Sequence, residues 1–276
     1  MNMMTLSDIP PWEWPTNADK MIFEVLCDGT ASGSERLLAA GMAGDATVVN
    51  DVLADALLSI VCNDSEADDL RGQAAISLGP ALEYAFIEDF DDPEDVPITE
   101  AMFLRIQEAF HTVFMEKRTP KIVRRRTLES SVRAPLDWHQ DAVRDAYTRD
   151  DEDWKLTAVF CMQYIRGFDK QILESLSNEN MDIVYEAVCA AGNWGIEAAW
   201  PQISAFLTSE ETEKDTLLAS IESAALIRPH EAIEILGPLL DSDDEDIIDA
   251  VHEALAMSDA YWEADDDEDE DAPTIH

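Results

Sequence analysis

Leu217-Leu218-Ala219-Ser220-Ile221-Glu222-Ser223-Ala224-Ala225 carries a recurring apolar set, residues 217, 218, 221, 224 and 225, at offsets of 0, 1, 4, 7 and 8. Ile183-Val184-Ala187-Ala190-Ala191 keeps the same offsets, and so does Ile247-Ile248-Val251-Ala254-Leu255. Such spacing gathers small and branched side chains on one face of a 3.6-residue helix. Trp154-Ala158-Cys161-Met162 and Leu70-Ala74-Leu78 hold the frame, with Lys155 and Arg71 at the second position. Recurrence of one helical unit about every 30 residues reads as a repeat array, because a single unit cannot bury its own apolar face.

A partner pattern precedes each of these helices: Ala232-Ile235-Leu236-Leu239-Leu240, Ala199-Ile203-Phe206-Leu207, Ile172-Leu173-Leu176 and Ala142-Val143-Ala146-Tyr147. The unit is therefore helix, short loop, helix. Its loops are acidic, and Asp69, Asp153, Asp182, Asp215 and Asp246 fall at or near predicted helix N-termini, where a carboxylate caps free amides and meets the positive end of the dipole. Arg133, Arg166 and Arg228 stand at the C-termini of second helices, just before Pro135, Gly167 and Pro229, which stop them.

With these residues in view the chain resembles the HEAT-repeat family, in its HEAT-like subgroup of lyase-type repeats. The resemblance rests on the aspartate, branched apolar pair and alanine-rich second helix of Asp182-Ile183-Val184-Tyr185-Glu186-Ala187-Val188 and Asp246-Ile247-Ile248-Asp249-Ala250-Val251. Leu70-Arg71 and Val123-Arg124 look like the family's apolar-arginine step. It covers roughly residues 30 to 258 and implies an all-α fold, an α-α superhelix: a right-handed HEAT-type solenoid of about six or seven helical pairs. It also implies a binding scaffold with a concave surface. Two further family roles stand as alternatives, a bilin lyase or chaperone-type accessory protein and a DNA glycosylase.

Repeat starts fall at about Leu37, Leu70, Val123, Trp154, Ile183, Leu217 and Ile247, in steps of 33, 53, 31, 29, 34 and 30 residues. The long step is read as an acidic, proline-bearing loop inserted at 87–98, followed by an amphipathic helix over Thr99 to Glu116. Around Val123 the pattern weakens, since Thr127, Ser130 and Ser131 occupy positions that are apolar elsewhere. Residues 1–17, with Trp12 and Trp14 between prolines, are expected to cap one end of the solenoid formed by 18–260. The acidic tail, 261–276, is expected to be disordered.

Formal charge is the second signal: 60 acidic against 18 basic side chains give a net charge of −42. A surface of that sign repels nucleic acid and anionic membranes, so neither is expected as a partner. Salt adaptation and binding of a basic or mixed-charge protein both account for it. Residues 105–170 hold 13 of the basic side chains with 11 acidic ones, leaving 5 against 49 elsewhere. From this stretch come the candidate partner-binding residues Lys117, Arg118, Lys121, Arg125, Arg126, Arg133, Trp138 and His139. The basic ones either face an external anionic ligand or pair with neighbouring acidic loops and the acidic tail.

Catalytic signals are thin. His111, His139, His230, His252 and His276 form no HExxH and no zinc spacing; there is no glycine-rich phosphate loop and no GxSxG. The reading is non-catalytic, with no cofactor and no metal. Cys27, Cys62, Cys161 and Cys189 form no CxxC pair, no run of 18 apolar residues exists, and Met1 to Ser7 lacks a basic-then-apolar leader pattern. A reducing, cytoplasmic location is therefore expected.

Overall fold

The computed structural model describes residues 3–90 and 96–270, with side chains as far as residue 257. It is all-α among these residues, and its contacts divide it into two compact units, Met1–Ala142 and Val143–His276. A repeat fold binds each helical pair chiefly to its neighbours, so a division of this kind leaves no trace in the repeat period.

The first unit begins with α1 (Met3–Ser7), a 3₁₀ turn (Pro11–Glu13) and α2 (Ala18–Cys27). Leu6, Ile22 and Leu26 are buried, and the Trp14 indole donates to the Leu6 and Ile9 carbonyls at 3.0 and 3.1 Å. Trp12, by contrast, is exposed, so one of the two tryptophans proposed to cover this end does not do so. Next come α3 (Gly33–Ala43), opened by a Ser32–Glu35 capping box, α4 (Asp51–Cys62), capped by Asn50, and α5 (Asp68–Ser77).

Then follow α6 (Gly79–Glu88), α7 (Glu100–Met115) and α8 (Lys121–Ser131). Helix α7 buries the apolar set its periodicity predicts: Met102, Phe103, Ile106, Phe110, Val113 and Phe114. Helix α6 was not foreseen. Gly79-Pro80 reads as a stop after α5, yet proline at the start of a helix loses no internal hydrogen bond, so Ala81, Leu82 and Ala85 fold into the core. The long repeat step thus contains a helix as well as the acidic loop; residues 91–95 of that loop lie outside the described residues.

Three arginines tie the pairs of this unit. Arg36, Arg71 and Arg124, each near the start of a second helix, donate Nε to the carbonyls of Leu26, Val61 and Phe114 at 3.1, 3.0 and 2.8 Å. Each carbonyl lies at the C-terminus of the preceding helix, where a cation also complements the dipole.

Helix α9 (Trp138–Thr148) spans the division between the units. The second unit continues with α10 (Glu152–Cys161), α11 (Asp169–Ser175), α12 (Met181–Asn193), α13 (Trp200–Thr208), α14 (Lys214–Ile227), α15 (Pro229–Leu236) and α16 (Glu245–Glu270). Helix α16 carries helical backbone into the acidic segment expected to be disordered, whose last residues, 271–276, lie outside the described ones. The caps also differ from expectation. Asp151 and Asn180 accept the first-turn amides, while Asp153, Asp182, Asp215 and Asp246 sit one step inside and act on the dipole.

Second helices stack on one another, α3 on α5 and α5 on α8 in the first unit, α10 on α12, α12 on α14 and α14 on α16 in the second. The approach is close enough to demand glycine. A Cβ at Gly44 would lie 2.0 Å from the Ser77 carbonyl oxygen, and one at Gly192 would lie 2.5 Å from Ser223 Oγ. Ala187, Ala190, Ala191, Ala224 and Ala225 are fully buried along this seam. All seven repeat starts fall in second helices, Val123 included.

Candidate functional site

The basic residues of α8 are less of a surface than their spacing implies. Arg125 is 8% exposed and Glu129 4%, so Arg125 is a buried residue rather than a surface cation. Arg126 meets the buried Glu129 at 2.7 Å, and Arg133 pairs with Glu83 of α6. Lys117, Arg118 and Lys121 are exposed, and the Arg126 side chain is partly so.

Trp138 and His139 are part of the interior rather than a recognition patch. Their rings stack at 3.8 Å, and Trp138 also lies against His111 and Phe114 at 4.9 and 5.3 Å. His139 is 0% exposed, and burial pulls its pKa down to about 4. Nδ1 lies 2.8 Å from the Leu136 amide and 3.1 Å from the Leu136 carbonyl oxygen, and Nε2 lies 3.0 Å from Ser131 Oγ. Ser131 in turn donates to the Leu128 carbonyl. The polar positions Thr127, Ser130 and Ser131 are therefore in correct register but buried, and Ser131 serves the histidine.

A concave feature of the second unit was not foreseen. Across α10, α12, α14 and α16 runs an open groove of about 1130 Å³. It is lined by Asp182, Glu186, Glu213, Asp215, Glu222, Asp246, Asp249 and Glu253 together with Leu156, Tyr185, Leu218, Ala219, Ala250 and Met257. Among the described residues no lysine or arginine lines it; Lys214 spans Asp244 and Asp246 at 2.7 and 2.6 Å.

The stacking that builds the fold also builds this groove. Asp182, Asp215 and Asp246 are each the second residue of their helix, α12, α14 and α16, and Glu222 and Glu253 lie seven residues beyond Asp215 and Asp246. Two of the lining groups are shifted. Tyr185 is pushed up to about 12 by neighbouring Cys189, by burial and by Glu186 and Asp215. Cys189 is likewise pushed up to about 12 by burial and by Glu186 and Glu222. Burial and the Tyr185–Cys189 coupling come first in these shifts, and the neighbouring carboxylates add to them.

Among the described residues no cluster of three or more His, Cys, Asp or Glu is placed to hold a metal ion, and no helix is long and apolar enough to cross a membrane. No family model and no curated protein sequence matches the chain. Solved structures resemble it at low identity. E. coli YibA aligns at 18% identity and TM-score 0.44 over 89% of this chain and 84% of that one. Human deoxyhypusine hydroxylase in complex with glycerol aligns at 16% and 0.41 over 94% and 88%. An engineered protein aligns at 15% and 0.37 over 89% and 98%. At these scores the likenesses carry no argument about activity, and the helical-repeat architecture rests on the chain's own seams and caps.

Proposed function

We propose that the chain is a non-catalytic protein-interaction module whose second unit binds a cationic protein segment in the acidic groove. The observation that carries this reading is a groove lined by eight carboxylates together with apolar side chains and, among the described residues, by no lysine or arginine. Lysine and arginine suit such a surface, since their aliphatic stems cover apolar area while their heads reach carboxylates. The volume exceeds the roughly 300–1,000 Å³ usual for a small-molecule site. The same potential opposes nucleic-acid phosphates, which weighs against the glycosylase alternative.

Fluorescence anisotropy with a lysine-rich peptide of scrambled order tests the assignment. Binding should fall steeply with salt and be lost in the Glu222→Lys/Glu253→Lys variant, while Lys117→Glu/Lys121→Glu binds at least as well as the parent. Equal binding by the groove variant and the parent would mean that the peptide reads only the overall charge, and the groove would not be a site.

A further inference from the structure

We infer that the first unit holds a separate site, a cavity of about 510 Å³ lined by Trp12, Trp14 and Asp19, that takes a quaternary ammonium group. Trp12 is 78% exposed, more than any other large apolar side chain among the described residues. Its backbone is nevertheless fixed. Pro10 and Pro11 restrict the chain before it, and the amides of Glu13 and Trp14 donate to the Pro10 and Pro11 carbonyls at 2.9 and 3.1 Å. Trp14 is anchored through its indole N–H to the Leu6 and Ile9 carbonyls. Little further ordering of the chain is needed when a ligand arrives.

The polar groups of the cavity decide which cation suits it. Asn50 Oδ1 accepts the Val52 and Leu53 amides, Asn50 Nδ2 donates to the Val48 carbonyl, and the Thr47 hydroxyl donates to Asp45. The carbonyls of Pro11, Pro15 and Asn50 already accept the amides of Trp14, Ala18 and Ala54. Asp19, by contrast, makes no hydrogen bond or ion pair among the described residues, and no lysine or arginine of theirs lines the cavity. What remains is one negative charge, two indole rings and, besides Asp19, only the Thr16 hydroxyl as an uncommitted side-chain acceptor. A primary ammonium or a guanidinium needs several acceptors in set directions. A quaternary ammonium needs none and is held by charge and by the faces of aromatic rings. The net charge of −42 draws in every cation alike, so the indoles make the choice.

Calorimetry and NMR of the tryptophan indole N–H signals test the site on the full-length protein, at one ionic strength held with sodium chloride. Choline should shift the Trp12 and Trp14 signals saturably. Ethanolamine, its demethylated counterpart, and dimethylbutanol, its uncharged carbon isostere, should bind about tenfold more weakly or worse. Trp12→Leu should lose about tenfold in choline affinity with circular dichroism and melting temperature unchanged, because an exposed ring adds little to the fold. Asp19→Asn should weaken choline as well. A peptide carrying trimethyllysine identifies the source: tighter binding than choline assigns the group to a modified protein chain, weaker binding to a free small molecule. Equal affinity for choline and ethanolamine, unaltered affinity in Trp12→Leu, or saturable binding by neither choline nor the peptide overturns the site.

Discussion

Acidification should expose the cost of burying His139. The ring is 0% exposed, and its folded pKa is about 4 against the usual 6.5. Above 6.5 it is neutral in both folded and unfolded chains and contributes no pH dependence. As pH falls through 6.5 the unfolded chain takes up a proton that the folded chain refuses until about 4, so stability drops across that window and levels off below it. At about pH 5 the imbalance amounts to about 2 kcal/mol, and its full extent is about 3 kcal/mol. The many carboxylates titrate in the same range, so the measurement must be a difference. Urea unfolding of the parent and of His139→Gln, followed by circular dichroism from about pH 7 to about pH 5, cancels them. At neutral pH the variant should be the less stable, having lost the Leu136 and Ser131 contacts, by about 1–3 kcal/mol. That deficit should shrink by about 2 kcal/mol on acidification. A constant offset across the range would refute the burial argument.

Three further outcomes follow from the seams and the charge. Gly44→Ala should cost about 3 kcal/mol or more in thermal or urea unfolding, since its Cβ would lie 2.0 Å from a backbone oxygen that cannot rotate away. Ala187→Asp, placed at a fully buried position of the α12 seam, should destabilise by several kcal/mol; an unchanged melting temperature would mean that the helix faces the other way. Glu222→Lys should raise the melting temperature at low salt by relieving repulsion in the groove, and the gain should fade towards about 1 M salt, where the Debye length is about 3 Å. A gain independent of salt would point to packing rather than charge.

Legibility of the fold followed the apolar period. Every second helix contains the start that its spacing predicts, and α7 buries the face its sequence marks out. Helix α6 escaped because Gly79-Pro80 carries both a stop and a start signal, and only the core vacancy beside α5 and α8 selects the start. Site residues were far less legible. A basic side chain on a helix gives no sign of whether it faces solvent or the interior, and Arg125 is buried. The groove carboxylates read singly as dipole partners or a solvated face. They line one groove only when α12, α14 and α16 are stacked, although the places of Asp182, Asp215 and Asp246 as second residues of those helices were the available signal.

The arginine contacts of the first unit meter chain length. In each corner the donor and the accepting carbonyl are ten residues apart: Arg36 and Leu26, Arg71 and Val61, Arg124 and Phe114. One residue added or lost between them would move the guanidinium off the helix end, so these corners resist insertion. Between one pair and the next no such gauge operates, and the extra residues of the 53-residue step, α6 and the acidic loop after it, lie there, outside the clasped corners. Chains built on this pattern are free to lengthen from pair to pair and are held to size within each pair. A spliced-in peptide tag should accordingly be accepted after Glu88 and rejected between Cys62 and Arg71.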